Sequence, residues 1–163
     1  MYFNGEDIAT QEVLKKRTVE KYLDLLSKVF IIYKLSGFSK NLRNEITKTK
    51  RWYFYDNGIR NALIANFNNI SLRNDVGELW ENYILAERIK FQQYTAMLVN
   101  NYFWRTYQQQ EIDWIEDRGG KLYAYEIKWK KFKKVKIPNS FKNGYPESSF
   151  DIITPDNYLS WIT

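Results

Sequence analysis

Two acidic residues and a lysine lie in a stretch whose sequence pattern predicts a β-hairpin. Asp113 is in the first predicted strand, and Glu126 and Lys128 are in the second, after a Gly-Gly turn. Because side chains alternate faces along a strand, Glu126 and Lys128 project from the same face, about 7 Å apart along the chain. The hairpin can bring Asp113 beside them. The stretch Glu111–Trp129 therefore predicts two carboxylates and one ammonium on one face of a sheet.

These residue types suit a hard divalent cation bound next to a phosphate. Carboxylate oxygens are ligands that Mg²⁺ and Mn²⁺ prefer, and the backbone carbonyl of Ile127 could add another oxygen. Lys128 would position or deprotonate a water molecule, or neutralise charge that develops on a phosphate. The same pattern is also typical of an exposed strand edge with alternating charges. The spacing alone leaves both interpretations open.

The composition limits the chemistry that is available. The 163-residue chain contains no histidine and no cysteine. The commonest general base and every Ser-His or Cys-His pair are therefore excluded, and zinc lacks its usual ligands. Without cysteine there are no disulfides, so a reducing cytoplasm is the expected compartment. The chain has no P-loop motif, so we do not expect nucleotide hydrolysis within it.

The charge of the chain favours a polyanionic partner. The formal net charge is +6, and nucleic acid, DNA in particular, is the expected partner. A dense basic run follows the hairpin, and its lysines are Lys130, Lys131, Lys133, Lys134 and Lys136. These lysines can follow a phosphate backbone while Trp129 and Phe132 pack on sugar or base. A solvated charged face is the alternative. No apolar run approaches the ~20 residues of a membrane span.

A helix and several strands are predicted around these residues. The helix begins at Asn74 or Asp75 and ends near Phe91, and its apolar stripe consists of Val76, Trp80, Tyr83, Ile84 and Phe91. Glu87 falls near the centre of that stripe, where a buried carboxylate needs a partner. Strands are predicted at residues 95–99, 101–107 and 150–154, and a helical turn follows the last of them. This order predicts an α/β or α+β arrangement around a mixed sheet.

The first 69 residues are predicted to form a partial winged-helix-like segment. A weak helix over residues 6–17 is followed by a helix at Thr18–Phe30, a strand, the basic loop Lys40–Arg51 and the strand Trp52–Tyr55. An ordinary helix followed by a hairpin is the alternative. Because a winged helix normally has two earlier helices, we expect a preceding region upstream. The Asn-rich connection before the next helix predicts a boundary between segments 1–69 and 70–163.

The ordered acidic residues resemble the PD-(D/E)XK superfamily, which has the restriction-endonuclease-like fold. Gly77 and Glu81 match its G-x-x-x-E helix element, and Asp113 matches the strand aspartate. Glu126 and Lys128 match its E-x-K, whereas isoleucine precedes Asp113 where the name-giving proline would stand. The resemblance implies that Glu81, Asp113 and Glu126 hold Mg²⁺ or Mn²⁺ and that Lys128 assists attack on a phosphodiester. Glu111 and Glu87 are the substitutes if one of these side chains points elsewhere.

Nearly the whole chain also resembles the C-terminal region of a prokaryotic AAA-type P-loop ATPase family. The segments that carry this resemblance are Thr18–Leu23, Asn41–Arg43, Tyr53–Asn61, Gly77–Asn82, Phe103–Thr106, Glu111–Trp114 and Tyr125–Lys128. In that family an ATPase domain precedes winged-helix-like helices and a nuclease-like domain. The resemblance implies that ATP acts only through an upstream domain.

Three functional hypotheses remain open from the sequence. The first is Mg²⁺-dependent hydrolysis of nucleic-acid phosphodiesters by a C-terminal nuclease-like domain. The second is a non-catalytic module that binds nucleic acid or protein, or helps the ATPase to assemble. The third is a toxin–antitoxin-like or regulatory protein-interaction domain. Metal-dependent cleavage of nucleic acid would support the first hypothesis. Salt-dependent binding without cleavage would support the second, and failure to bind nucleic acid at low salt would support the third.

Overall fold

A computed structural model describes residues 16–40, 45, 49–130 and 135–163 of the chain. The strands are β1 (Ile32–Gly37), β2 (Lys50–Phe54), β3 (Asn100–Arg105), β4 (Glu111–Arg118), β5 (Lys121–Ile127) and β6 (Ser149–Ile153). The helices are α1 (Lys16–Lys28), α2 (Asn57–Leu63), α3 (Val76–Tyr94), α4 (Asn139–Gly144) and α5 (Leu159–Ile162), with a 3₁₀ turn at Ile70–Leu72. Most of the helix predicted over residues 6–17 lies outside the described residues, as does most of the predicted loop Lys40–Arg51.

The strands form one six-stranded sheet in the order β2-β1-β3-β4-β5-β6. Strands β1 and β3 are parallel, as are β5 and β6, and the other neighbours are antiparallel. The predicted α/β class, with a mixed sheet flanked by helices, is confirmed. The predicted hairpin is β4–β5, and the positive φ angles of Gly119 (61°) and Gly120 (90°) form its tight turn.

Two apolar clusters cover the two faces of the sheet. The first unites Trp80 and Ile84 of α3 with Trp161 of α5 and the strand residue Phe103. The second surrounds Phe141 of α4 and includes Trp104, the residue after Phe103. Successive residues of β3 therefore point to opposite faces, as the strand pleat requires. A third, smaller cluster packs Val19 and Leu23 of α1 against β1 and β2.

The strand predicted over residues 95–99 is wrong. Helix α3 continues to Tyr94, and the Thr95 hydroxyl donates a hydrogen bond of 2.8 Å to the carbonyl of Phe91 at the helix end. Ala96 then turns the chain with a positive φ of 51°, and β3 begins only at Asn100. The β-branched and apolar residues of this stretch fit a strand by propensity, but the chain uses them as a turn.

The hairpin β1–β2 joins the same sheet as the rest of the chain. Ser36 and Gly37 of β1 pair with Tyr102 and Phe103 of β3, so the sheet continues across the predicted boundary between residues 69 and 70. That boundary stays a prediction. The placement of Arg51 in a basic loop is wrong, because it lies in β2 and is buried.

Candidate functional site

A β-bulge in β4 places Asp113 at the end of the β4–β5 ladder. Tyr102 pairs with Ile115 and Trp104 pairs with Ile112, so two residues of β4 lie opposite Phe103 alone. Because of this extra residue, Ile112 and Ile115 both belong to the cluster around α4, although regular alternation would place them on opposite faces. The bulge therefore changes the direction of the side chains between them, including that of Asp113.

The carboxylate of Asp113 connects β4 to β5 beyond the last residues that are paired through their backbones. The β4–β5 pairing ends at Trp114 and Tyr125. Beyond it, the Ile127 amide donates a hydrogen bond of 2.9 Å to Asp113 Oδ2. Lys128 Nζ lies 3.7 Å from the same oxygen and 2.6 Å from Glu126 Oε1. The three residues that the hairpin pattern singled out are thus in contact.

Helix α3 adds Glu81 to this group. The Tyr53 hydroxyl donates a hydrogen bond of 2.7 Å to Glu81 Oε1. Burial and, after it, the negative charge of Asp113 raise the pKa of Glu81 to about 7. Glu81 also contributes to the raised pKa of Lys128. The four residues named from the superfamily resemblance therefore lie together, and we call them the acidic cluster: Glu81, Asp113, Glu126 and Lys128.

The carboxylates of the acidic cluster are buried and close together, and this environment raises their pKa values. Burial, followed by repulsion from Asp113, raises the pKa of Glu126 to about 7. Burial also raises the pKa of Asp113, although Lys128, the Ile127 amide and Arg51 oppose the shift. Burial alone would lower the pKa of Lys128, but the attraction of Asp113 and Glu126 outweighs it and the pKa rises. The ammonium of Lys128 is the cation that these carboxylates share.

The acidic cluster does not form a ready metal cage in this arrangement. Among residues 16–40, 45, 49–130 and 135–163, no group of three or more acidic, histidine or cysteine side chains has the geometry to hold a metal ion. Lys128 lies against two of the three carboxylates that would do so. A divalent ion would therefore have to displace the ammonium from Asp113 or Glu126.

The acidic cluster opens into a cleft of about 380 Å³. The cleft lies between the start of α3 and the end of β5, and its lining residues are Gly77, Glu78, Glu81, Ile127, Lys128, Trp129 and Lys130. Trp129 packs edge-on against Trp80, with ring centroids 5.6 Å apart. A ligand from solvent can thus reach Glu81 and Lys128 directly.

Only part of the basic run can be placed beside the cleft. Lys130 lines the cleft and is exposed, and Lys136 is also exposed. Lys131, Lys133 and Lys134 lie outside the described residues, as does Phe132. The proposed track of the phosphate backbone along these lysines stays a prediction.

Strand β2 supplies two buried residues that the sequence did not identify as part of the site. Arg51 Nη2 lies 2.5 Å from Glu111 Oε1, and Arg51 Nη1 lies 4.0 Å from Asp113 Oδ1. Tyr53 contacts Glu81 as described above. A buried tyrosine needs a hydrogen-bond partner for its hydroxyl. Because Tyr53 lies in a predicted aromatic strand, this requirement was the one sequence signal that it contacts a polar group.

The two substitute acids have other partners. Glu111 pairs with Arg51 and, at 3.6 Å, with Arg105. Glu87 forms a 2.6 Å ion pair with Lys90 at the surface of α3, so its predicted place at the centre of the apolar stripe is wrong. The next residue, Arg88, is the buried one.

Glu116 is a fully buried acid that the sequence did not indicate. Its carboxylate accepts hydrogen bonds from Arg88 at 2.6 and 2.9 Å and from Gln92 at 2.8 Å, and it also pairs with Arg118. Burial would raise the pKa of Glu116, but the hydrogen bonds from Arg88 and Arg118 outweigh it and hold the pKa below its usual value. The network is satisfied and structural, since it ties α3 to β4.

None of the helices in the described residues is long and apolar enough to cross a membrane.

Two family models match the chain. One, described as "Domain of unknown function (DUF4143)", matches residues 76–157. The other, described as "Domain of unknown function (DUF8612)", matches residues 2–71. The DUF4143 domain is often found at the C-terminus of AAA-ATPase-like proteins.

Two curated relatives are uncharacterized proteins, one of Mycobacterium tuberculosis and one of Mycobacterium bovis. Each is 27% identical to this chain over 130 residues. The aligned region covers 77% of this chain and 28% of each relative. The chain therefore corresponds to only a part of these longer proteins. No solved structure matches it significantly.

Proposed function

Since the chain belongs to the DUF4143 family of domains of unknown function, we propose that it is a metal-dependent nucleic-acid phosphodiesterase module. The observation that carries the proposal is a cleft lined by Glu81 and Lys128, with Asp113 and Glu126 in contact with Lys128 behind it. Three acids and a lysine from a helix and two strands match the residue types and order that phosphodiester hydrolysis requires in the PD-(D/E)XK pattern.

The donor atoms of the acidic cluster are of the type that Mg²⁺ or Mn²⁺ prefers, although the side chains would have to rearrange around an ion. Glu81, Asp113 and Glu126 would hold the ion through oxygens, the ligands that these hard cations prefer. Burial, followed by the negative charge of Asp113, raises the pKa values of Glu81 and Glu126, and a divalent cation beside them would relieve this cost. When bound, the ion would stabilise charge on the phosphate and lower the pKa of a water molecule.

Lys128 has the second role in this proposal. Its ammonium now neutralises Asp113 and Glu126. If those carboxylates held a divalent ion instead, the ammonium would be available at the cleft, where it would stabilise negative charge on a phosphodiester in the transition state. In the metal-free protein the ammonium is held protonated, because the attraction of Asp113 and Glu126 outweighs burial and raises the pKa of Lys128.

DNA is the proposed substrate, and an upstream ATPase domain is the proposed source of ATP-dependent control. The net charge of +6 and the exposed Lys130 at the cleft support a polyanion as ligand. The frequent occurrence of the DUF4143 domain at the C-terminus of AAA-ATPase-like proteins supports a C-terminal position. The absence of cysteine fits a reducing cytoplasm.

The test is cleavage of branched, single-stranded and duplex DNA in the presence of Mg²⁺ or Mn²⁺. Asp113→Asn and Lys128→Ala are expected to lower the cleavage rate by about 100-fold or more. Asp117→Asn is the matched control, because Asp117 lies on the same strand at its turn end and asparagine can still accept the bond from Gly120. Equal activity of all four proteins would remove the acidic cluster from any mechanism.

A non-catalytic binding or assembly module is the second candidate. It is favoured by the ammonium of Lys128 between Asp113 and Glu126, and by the lack of a metal-holding group among the residues that the structure describes. A module of this kind would bind DNA with strong salt dependence and without metal-dependent cleavage. Equal binding by wild type and Asp113→Asn, with no cleavage by either, would support it.

A further inference from the structure

Glu81 is the member of the acidic cluster that does not come from the β4–β5 hairpin. Asp113, Glu126 and Lys128 are fixed relative to one another by the pairing of β4 and β5 and the bond from Ile127. Glu81 extends from the first half of α3, whereas the bonds from Arg88 and Gln92 to Glu116 attach the helix to β4 further along. The position of Glu81 therefore depends on whatever joins α3 to the sheet at this point.

Strand β2 provides this connection through the Tyr53 hydroxyl. Tyr53 is fully buried, and its hydrogen bond of 2.7 Å ends on Oε1 of Glu81. Its ring stacks on Tyr33 of β1, with centroids 5.4 Å apart and an angle of 17° between the planes. The stacking fixes the ring, so the hydroxyl has one direction in which to donate.

The residue after Glu81 attaches the helix to the same strand. Asn82 accepts a hydrogen bond of 2.8 Å from the Phe54 amide and donates one of 2.9 Å to the Phe54 carbonyl. Its amide also donates to Asn57 Oδ1 at 2.8 Å. Such directional bonds in a buried place fix the position of α3 along β2 in a way that apolar contacts do not. Tyr53 and Asn82 together hold Glu81 from two successive residues.

We propose that Tyr53 is a positioning residue that holds one oxygen of Glu81 by its hydrogen bond and leaves the other available to a divalent metal ion. Strand β2 lies before the residues 76–157 matched by the DUF4143 model. Residues 76–157 therefore do not contain the whole site, because Tyr53 of the preceding hairpin contributes to it. This inference rests on the proposed function, because it assigns Glu81 the role of a metal ligand.

The test measures Mn²⁺ affinity by isothermal titration calorimetry, without any substrate. Tyr53→Phe removes the hydroxyl and keeps the ring, and we expect it to weaken Mn²⁺ binding by about 10- to 100-fold. Tyr33→Phe is the matched control. Tyr33 is a buried partner in the same stack, and its hydroxyl makes no hydrogen bond with the described residues, so its removal should leave the affinity within about twofold. Unchanged affinity in Tyr53→Phe overturns the positioning role.

A double-mutant comparison separates positioning from a general loss of structure. In a Glu81→Gln background, Tyr53→Phe is expected to have no further effect on Mn²⁺ affinity, because it acts through the carboxylate of Glu81. An equal loss in both backgrounds would show that Tyr53 acts by another route and would overturn the inference. Glu81→Asp, which withdraws the carboxylate from Tyr53 but keeps its charge, should reproduce the loss in a chain with an intact tyrosine stack.

The two proposals fail in different ways in this experiment. If wild type binds no Mn²⁺, or if Glu81→Gln binds it as well as wild type, the metal role of the acidic cluster is wrong and the role of Tyr53 falls with it. If wild type binds Mn²⁺, Glu81→Gln weakens binding and Tyr53→Phe does not, the metal site stands and only the positioning role is overturned.

Discussion

At the residue scale, the acidic cluster should oppose folding above neutral pH. Burial and the charge of Asp113 raise the pKa of Glu81 from 4.5 to about 7 in the folded protein. A carboxyl group with a raised pKa contributes stability that is fully present below its unfolded pKa and is lost as the pH rises through its folded pKa. The free energy of unfolding contributed by Glu81 should therefore fall between about pH 4.5 and pH 7.

Glu81→Gln tests this directly, because glutamine keeps the shape and can accept the bond from Tyr53. Without metal, we expect the variant to be more stable than wild type at pH 8 by about 1–3 kcal/mol, and the difference to shrink toward pH 5. Thermal unfolding at several pH values measures the trend. A variant that is less stable than wild type at pH 8 would show that Glu81 is ionised in the folded protein at little energetic cost.

At the element scale, the buried Glu116 network joins α3 to β4. Arg88, Gln92 and Arg118 all converge on this one carboxylate. Glu116→Gln leaves the Arg88 guanidinium buried without its counter-charge, and breaking a buried pair in this way typically costs about 3–5 kcal/mol. Urea denaturation at pH 7 measures the loss. Glu87→Gln, one residue from Arg88 on the same helix, should change stability by less than about 0.5 kcal/mol, because Glu87 pairs with Lys90 at the surface.

The sequence predicted the elements that local patterns determine. The Gly119-Gly120 turn, the two strands beside it and the start of α3 follow from turn chemistry and periodicity. The bulge at Asp113 and Trp114 could not be predicted, because an extra residue in β4 is defined only by its pairing with β3. Arg88 and Glu116 were missed for a related reason: each appears as an ordinary charged residue until its partner from another element is known.

The residues of the candidate site divide in the same way. Asp113, Glu126 and Lys128 could be grouped from the sequence because a hairpin places them together. Glu81 required the family resemblance, since the apolar periodicity of α3 pointed to Glu87 instead. Tyr53 and Arg51 could be identified only from the structure. They come from a strand about 30 residues or more before the acidic cluster, and they contact it only in the folded sheet.

At the scale of the whole molecule, the hairpin β1–β2 and the later strands should fold as one unit. The sheet is continuous from β2 to β6, and Phe103 of β3 packs in the cluster that also contains Tyr33 and Tyr53. We expect a fragment of residues 70–163 to lack a cooperative thermal transition, because β3 becomes an uncovered edge and α3 loses Asn82's partners. A fragment that unfolds cooperatively at a temperature near that of the whole chain would establish the boundary at residue 69 as a true domain boundary.

The pairing of β1 with β3 also sets the order in which the acidic cluster is assembled. The tight Gly119-Gly120 turn lets β4 pair with β5 quickly. The pairing of Ser36 in β1 with Tyr102 in β3 is slower, because a loop of more than 60 residues must close first. The contact of Tyr53 with Glu81 joins residues 28 apart in sequence, so we expect it to form after the β4–β5 hairpin. We expect a partly folded chain to bring together the aspartate, the second glutamate and the lysine before the helix-borne acid joins them, so that under the proposed function it would still lack one metal ligand.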